Sequence, residues 1–182
     1  GKAMKAAMIA VMSSGRVHSR AGEASSPAEI LTGLNRPLHT KTSEVMFTAL
    51  CLGSINVPTR EFTYALAGMN RPLLKTGDET VSIPSAERGF PLGAFEDSEY
   101  GEDTVRLKSG DVVVLYTDGV IEAQNRAEEF YEKDRLIGLL AELPTAGLSA
   151  SEIKDHIVAD VNEFTASAPQ QDDLTLVVVK AV

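Results

Sequence analysis

Two largely apolar runs constrain the fold of this chain more than any other feature. They are Val112–Leu115 and Leu174–Val179, and neither alternates polar with apolar residues. A strand of this composition is typical of a position that is covered on both faces. We therefore expect two buried strands, with Val112–Leu115 at the centre of a sheet. A chain of 182 residues is long enough to bury such a core within one domain.

The remaining segments predict antiparallel sheets flanked by helices. Period-2 patterns that are separated by turn residues indicate hairpins, and apolar positions at helical spacing indicate helices. The predicted hairpins are Met46–Val57 with Glu61–Ala67, Leu73–Lys75 with Thr80–Ile83, and Glu102–Leu107 with Asp111–Thr117. The predicted helices are Ala3–Met12, Ala28–Leu38, Lys133–Leu143 and Ser149–Thr165. This order predicts a layered α/β (α+β) sandwich with largely antiparallel sheets.

Composition excludes several classes of protein. The formal net charge is −9, which argues against binding to nucleic acid because that requires a basic face. Cys51 is the single cysteine, so the chain can form neither an internal disulfide nor a cysteine-rich zinc site, and we expect this thiol to serve only in packing. No apolar stretch reaches the roughly 20 residues of a membrane helix. These features fit a cytoplasmic protein.

Two aspartates flank the buried strands in a way that predicts a shared site. Asp118-Gly119 follows Asp111–Thr117, and Asp172-Asp173 precedes Leu174–Val179. If these strands are antiparallel neighbours, both carboxylates lie at the same sheet edge, where a cation would relieve their repulsion. All-oxygen ligation favours Mg²⁺, Mn²⁺ or Ca²⁺. Each aspartate alone is equally consistent with an ordinary turn residue, so the pattern by itself leaves both interpretations open.

Five segments, in order along the chain, resemble the motifs of one family. They are Gly1–Met8, Ala67-Gly68-Met69-Asn70-Arg71-Pro72-Leu73, Gly89-Phe90-Pro91-Leu92-Gly93, Leu107–Asp118 with the overlapping Tyr116-Thr117-Asp118-Gly119-Val120, and Gln171-Asp172-Asp173-Leu174-Thr175-Leu176. Together they are similar to the type 2C-like metal-dependent serine/threonine protein phosphatases, and more narrowly to their bacterial SpoIIE-type class. Met69 and Arg71 depart from the family's usual His and Pro, and Ala3 replaces a usual Gly.

The resemblance implies a fold, a site and a reaction. The fold would be the layered α-β-β-α sandwich of these phosphatases. Asp118 and Asp172 would ligate catalytic Mn²⁺ or Mg²⁺, Asp173 would orient the site, and Gly119 would keep the turn after the strand tight. Two ions are expected in the intact domain, where they activate a water that attacks the phosphorus of phosphoserine or phosphothreonine. The implied substrate is a phosphorylated protein, an anti-sigma-factor antagonist.

The resemblance also predicts that residues 1–182 form the larger, C-terminal part of a single phosphatase domain that lacks its N-terminal part. The family's first metal motif carries an aspartate upstream of Gly1. We therefore expect this polypeptide alone to bind Mn²⁺ weakly and to turn over little substrate. An upstream sensor or regulatory domain is expected, and the helix Ala3–Met12 is a candidate link between that domain and metal-site assembly.

Two other functions remain open from the sequence. A pseudophosphatase of the same fold would bind phosphoproteins without hydrolysing them, as an interaction module in the same signalling pathway. A different metal-dependent hydrolase would act on small phosphate esters. His18, His39 and His156 share no ligand spacing, and we expect all three to be surface or packing residues.

Overall fold

The computed structural model describes residues 11, 14–15, 17–19, 26–41, 47–77, 79–82, 89–166 and 168–182. These residues form two compact units, one within Gly1–Met69 and Ser85–Arg106 and the other within Asn70–Pro84 and Leu107–Val182. The predicted helix Ala3–Met12 and the motif Gly1–Met8 lie outside the described residues, apart from Val11. No helix in the described ranges is long and apolar enough to span a membrane.

The first unit is built on a three-stranded antiparallel sheet. Its elements are α1 (Pro27–Lys41), β1 (Leu50–Asn56), β2 (Glu61–Ala67) and β5 (Glu102–Arg106), with strand order β1-β2-β5. Helix α1 packs on β1 and β2, and its residues Ile30, Leu31 and Leu34 are buried. This confirms the predicted helix and the first hairpin. Cys51 is only partly buried, because β1 is half-exposed along its length.

A buried asparagine ties the Gly89–Gly93 loop to helix α1. The side-chain amide of Asn35 donates to the carbonyls of Phe95 (2.8 Å) and Glu96 (2.9 Å), and its Oδ1 accepts from the backbone N–H of Gly93 (2.9 Å). Buried amides are costly unless both ends are paired, and here both ends are. The loop that matches the family motif is therefore held by hydrogen bonds from the helix.

The second unit is built on a four-stranded antiparallel sheet of order β4-β3-β6-β7. Its elements are β3 (Leu73–Thr76), β4 (Glu79–Ser82), β6 (Val112–Tyr116), α2 (Asp118–Ile121), α3 (Lys133–Glu142), a 3₁₀ turn (Thr145–Gly147), α4 (Ala150–Thr165) and β7 (Leu176–Lys180). Strand β6 lies between β3 and β7, and Val112, Val113 and Val114 are fully buried. The central strand predicted from the continuous apolar run is thus confirmed.

Helices α3 and α4 cover this sheet. Helix α3 packs against β3 and β4, and α4 packs against β7. Their apolar residues Leu136, Leu140, Ile153, Ile157 and Val161 join the core that Val112 and Val114 form. The predicted start of α4 is confirmed, since Ser149 and Glu152 form a reciprocal capping box.

The predicted hairpin of Glu102–Leu107 with Asp111–Thr117 is wrong. The strands exist, but β5 pairs with β2 in one sheet, whereas β6 pairs with β3 and β7 in the other. The turn between them bonds to the end of β7 instead, because Gly110 N donates to Ala181 O and Ala181 N donates to Asp111 O. The two strands differ in burial: β5 alternates between exposed and partly buried residues, whereas every residue of β6 except Leu115 is buried. They therefore suit different sheet positions.

The last strand also differs from its prediction. It runs from Leu176 to Lys180 rather than over Leu174–Val179, and Val177 is 51% exposed. Strand β7 lies at the end of the strand order, so its apolar run is covered only in part. An edge strand and a buried strand can carry the same apolar run, and periodicity does not separate them.

Candidate metal site

The ends of β6 and β7 lie side by side, as the two-aspartate pattern requires. The strands are antiparallel, with Tyr116 opposite Leu176. The pairing continues one residue further, since Thr117 N donates to Thr175 O at 3.1 Å and Thr175 N donates to Thr117 Oγ1 at 3.2 Å. Asp118 follows this contact directly, and Asp172-Asp173 precedes it with only Leu174 between. Both acidic segments therefore emerge at one edge of the sheet.

Gly119 allows the two segments to touch. A Cβ atom at residue 119 would lie 2.3 Å from the carbonyl oxygen of Asp173 and 3.0 Å from its carbonyl carbon. No side chain fits at such distances, so the backbones of residues 119 and 173 approach as only glycine permits. The resemblance assigned Gly119 to a tight turn; the constraint that the structure places on it is backbone contact with the second acidic segment.

Asn70 orients the carboxylate of Asp118. Its side-chain amide donates to Asp118 Oδ1 over 2.6 Å. The position follows from the sheet, because Asn70 lies just before β3 and β3 is the neighbour of β6 opposite to β7. Three chain segments thus converge at this edge. Asn70 belongs to the motif Ala67–Leu73 but has no role predicted from the sequence; its place just before a strand is the signal that was available.

The second carboxylate is held by its own segment. Asp172 Oδ1 accepts from the backbone N–H of Asp173 at 2.8 Å, and the Asp172 carbonyl accepts from Gln170 Nε2 at 2.8 Å. Asp118, Asp172 and Asp173 are all exposed. Within the described part of the chain, Oδ2 of Asp118 and Oδ2 of Asp172 make no hydrogen bond. Each carboxylate therefore keeps one oxygen for a ligand.

The oxygen ligands at this edge suit a hard divalent cation, but the described residues supply few of them. Carboxylate oxygens are the ligands that Mg²⁺ and Mn²⁺ prefer. No group of three or more His, Cys, Asp or Glu side chains that could hold a metal occurs among the residues described. The described residues therefore fit as part of a metal site, with further donors to come from water, substrate or other residues.

Other candidate nucleophiles lie elsewhere. Burial raises the pKa of the Cys51 thiol to about 11, so its reactive thiolate is scarce at neutral pH. His39 Nδ1 lies 2.9 Å from the carbonyl oxygen of Gly93, whereas His18 and His156 are exposed. His18 and His156 thus lie at the surface, and His39 packs against a backbone carbonyl, as expected of surface or packing residues.

Comparison with solved structures identifies the fold as that of the type 2C (PP2C) phosphatase domains. The SiaA-PP2C domain of Pseudomonas aeruginosa matches with a TM-score of 0.79 and 19% identity, covering 96% of this chain and 68% of that one. The phosphatase domain of SpoIIE from Bacillus subtilis, presoaked with Mn, matches with a TM-score of 0.61 and 21% identity, covering 95% and 73%. The predicted mixed helix and antiparallel-sheet fold is confirmed.

The chain belongs to the SpoIIE family. The family model described as Stage II sporulation protein E matches residues 1–182, which confirms the resemblance that the motifs indicated. The phosphoserine phosphatase RsbU of Bacillus subtilis is 27% identical over 180 residues, which are 99% of this chain and 52% of RsbU. The chain therefore spans about half the length of this relative.

Proposed function

We propose that this chain supplies a Mn²⁺- or Mg²⁺-dependent protein serine/threonine phosphatase with much of its active site. The observation that carries the proposal is the meeting of two acidic segments, after β6 and before β7, at one sheet edge. Family membership of residues 1–182 supports assigning them to a single phosphatase domain. The reaction is hydrolysis of the P–O bond of phosphoserine or phosphothreonine, which yields the free hydroxyl and inorganic phosphate.

In this proposal each residue at the edge has one task. Asp118 and Asp172 hold the metal through carboxylate oxygens, and Asp173 orients the segment through its backbone N–H to Asp172 Oδ1. Asn70 fixes the rotation of the Asp118 carboxylate, and Gly119 permits the close backbone contact. When bound, divalent cations supply an activated water and neutralise phosphate charge. Positioning residues matter here because small displacements of reacting groups are costly.

The substrate and the cellular setting are also part of the proposal. We take the substrate to be a phosphorylated regulatory protein of a sigma-factor pathway, an anti-sigma-factor antagonist, on the grounds of membership in the SpoIIE family and similarity to RsbU. A sensor or regulatory domain would control the activity, since the chain spans about half of RsbU. A cytoplasmic location agrees with the single, unpaired cysteine.

A second candidate function is a pseudophosphatase that binds phosphoproteins without turnover. One observation favours it: the described residues bring no group of three or more potential metal ligands together. An interaction module of this kind would keep the fold and lose the metal.

Phosphate release from a phosphoserine protein tests the proposal. With the intact protein and Mn²⁺ we expect turnover that a chelator abolishes. Asp118→Asn and Asp172→Asn should each reduce it at least ~100-fold, because even residues behind metal ligands cost about 10–100-fold. Asp155→Asn, an exposed change on α4, is the matched control and should keep full activity. Metal-independent turnover, or full activity in both Asp118→Asn and Asp172→Asn, would refute the proposal. A preference for a small aryl phosphate over the phosphoserine protein would favour the small-ester hydrolase.

A further inference from the structure

A cavity of about 550 Å³ opens beside the candidate metal site. Its volume lies within the roughly 300–1,000 Å³ that is typical of ligand pockets. Gly119 and Asp172 both line it, so the cavity begins where the two acidic segments meet. The other lining residues come from the segment between α2 and α3, the last turns of α4 and the segment before β7.

One part of the cavity wall is apolar. Phe130, Val161, Pro169 and Leu174 line it, and the Phe130 side chain is 49% exposed although it is large and aromatic. Exposed apolar surface next to a polar rim is typical of a recognition site. Burying such surface against a partner's side chain removes it from water and is therefore favourable.

The rim of the cavity carries side-chain amides. Gln124, Asn162, Gln170 and Gln171 line it, and Gln171 Nε2 donates to Gln124 Oε1 at 2.9 Å across the two segments. An amide has donors and an acceptor, which are the groups that match the N–H and C=O of an extended polypeptide. The wall and rim together resemble the apolar centre and polar edge of a protein interface.

The charge of the cavity lining argues against an acidic side chain as its occupant. The ionisable residues of the lining are the carboxylates Glu122 and Asp172, and no Lys or Arg of the described chain is among them. An acidic side chain would therefore meet repulsion and leave its charge unpaired. An apolar side chain meets neither penalty.

We propose that this cavity is the subsite that receives an apolar side chain close to the phosphorylated residue of a protein substrate. The inference rests on the proposed function, because the phosphorylated residue must lie at the Asp118–Asp172 edge. Successive residues of an extended chain are at most about 3.3–3.6 Å apart along its axis, so a near neighbour of that residue reaches the adjoining cavity. The rim amides would hold the backbone of that neighbour.

A substrate series with a matched pair of variants tests the inference. The intact protein with Mn²⁺ is given phosphoserine peptides in which a single leucine is moved along either side of the phosphoserine, the same series with aspartate, and p-nitrophenyl phosphate. We expect one leucine position to raise kcat/KM by about tenfold over aspartate there. Phe130→Ala should remove most of that preference through KM, with p-nitrophenyl phosphate hydrolysis within about twofold of wild type.

The control is Val177→Ala, which shortens another half-exposed apolar side chain of the same unit outside the cavity and should keep the leucine preference. If Phe130→Ala does not fold, Ala168→Leu, which narrows the same cavity, should give the same loss. Unchanged leucine preference in the folded cavity variant overturns the inference and leaves the proposed function standing. Hydrolysis of the aryl phosphate alone favours the small-ester hydrolase and overturns both. Hydrolysis of neither class of substrate overturns the proposed function and the inference with it.

Discussion

Gly119 and Asp173 are in such close backbone contact that residue 119 has no room for a side chain. A methyl group there would lie 2.3 Å from the Asp173 carbonyl oxygen, and the obstacle is backbone rather than a flexible side-chain end. The residue therefore acts through packing at the site, since Gly119 is not among the glycines with positive φ.

We predict that Gly119→Ala forces the segment before β7 away from Asp118. Overpacking of this kind costs about 1–3 kcal/mol of unfolding free energy, and the displaced Asp172 should weaken Mn²⁺ binding. Gly138→Ala is the matched control, because nothing lies within 4 Å of its Cβ position and it sits inside α3. That change should stabilise by about 0.5–1 kcal/mol. Chemical unfolding measures both, and equal effects in the two variants would contradict this account.

We also predict that the hydrogen bond from Asn70 to Asp118 strengthens Mn²⁺ binding. Asn70→Ala removes the 2.6 Å hydrogen bond to Asp118 and frees the carboxylate to rotate. Loss of an orienting partner behind a metal ligand costs about 10–100-fold in metal affinity. Titration calorimetry with Mn²⁺ should show this loss, with the melting temperature nearly unchanged since the bond is exposed. Asn70→Gln, which keeps the amide, should recover part of the affinity; unaltered Mn²⁺ affinity in Asn70→Ala would show that the contact does not position the ligand.

At the level of elements, α3 and α4 are joined by a polar cluster near the core. Asp160 Oδ2 accepts from the hydroxyl of buried Tyr131 at 2.6 Å and from Arg135 Nε at 3.1 Å. The Arg135 guanidinium also lies over the rings of Tyr131 and Phe164. Desolvation opposes ionisation of Asp160, but the hydrogen bonds from Arg135 and Tyr131 outweigh it and hold the pKa of this carboxyl below its ordinary value.

The lowered pKa fixes the direction of the pH dependence. A carboxyl whose pKa is lower in the folded state stabilises the fold above its unfolded pKa of about 3.9, and that contribution is lost as pH falls through the folded value. We predict that Asp160→Ala lowers the unfolding free energy at pH 7 by about 2 kcal/mol. The difference from wild type should shrink below about pH 4.

Asp155→Ala on the same helix is the control for this series. Asp155 is 64% exposed and paired only with its neighbour Lys154 in the described structure, and exposed pairs contribute about 0–1 kcal/mol. Urea unfolding across the pH range measures both variants. A destabilisation by Asp160→Ala that persists undiminished into acid would mean that the cluster acts through packing and not through charge.

The sequence predicted the pairing of the strands less well than the positions of the strands and helices. The central position of β6 followed from the apolar run Val112–Leu115, and the start of α4 followed from Ser149 with Glu152 three residues later. The pairing of β5 did not follow, because a short turn such as Lys108-Ser109-Gly110 can close a hairpin or carry the chain into another sheet. The turn's own hydrogen bonds go to Ala181, a partner that local patterns cannot identify.

Across the molecule, the candidate site residues all belong to one of the two compact units. Asn70, Asp118, Gly119, Asp172 and Asp173 lie in the unit of the four-stranded sheet, although about 100 residues separate the first from the last in the sequence. The two aspartates were predictable because each adjoins an apolar strand. Asn70 was not, since its contact depends on β3 being the other neighbour of β6, which only the sheet order reveals.

The central claim is that Asp118 and Asp172 bind the same cation, and Mn²⁺ titration calorimetry of a double-mutant cycle tests it most directly. The intact protein is compared with Asp118→Asn, Asp172→Asn and the double variant. If one ion bridges both carboxylates, each single change should weaken binding at least ~100-fold, and the double change should add little to either, because coupled residues are not additive. Independent, additive losses, or wild-type affinity in either single variant, would contradict a shared metal site.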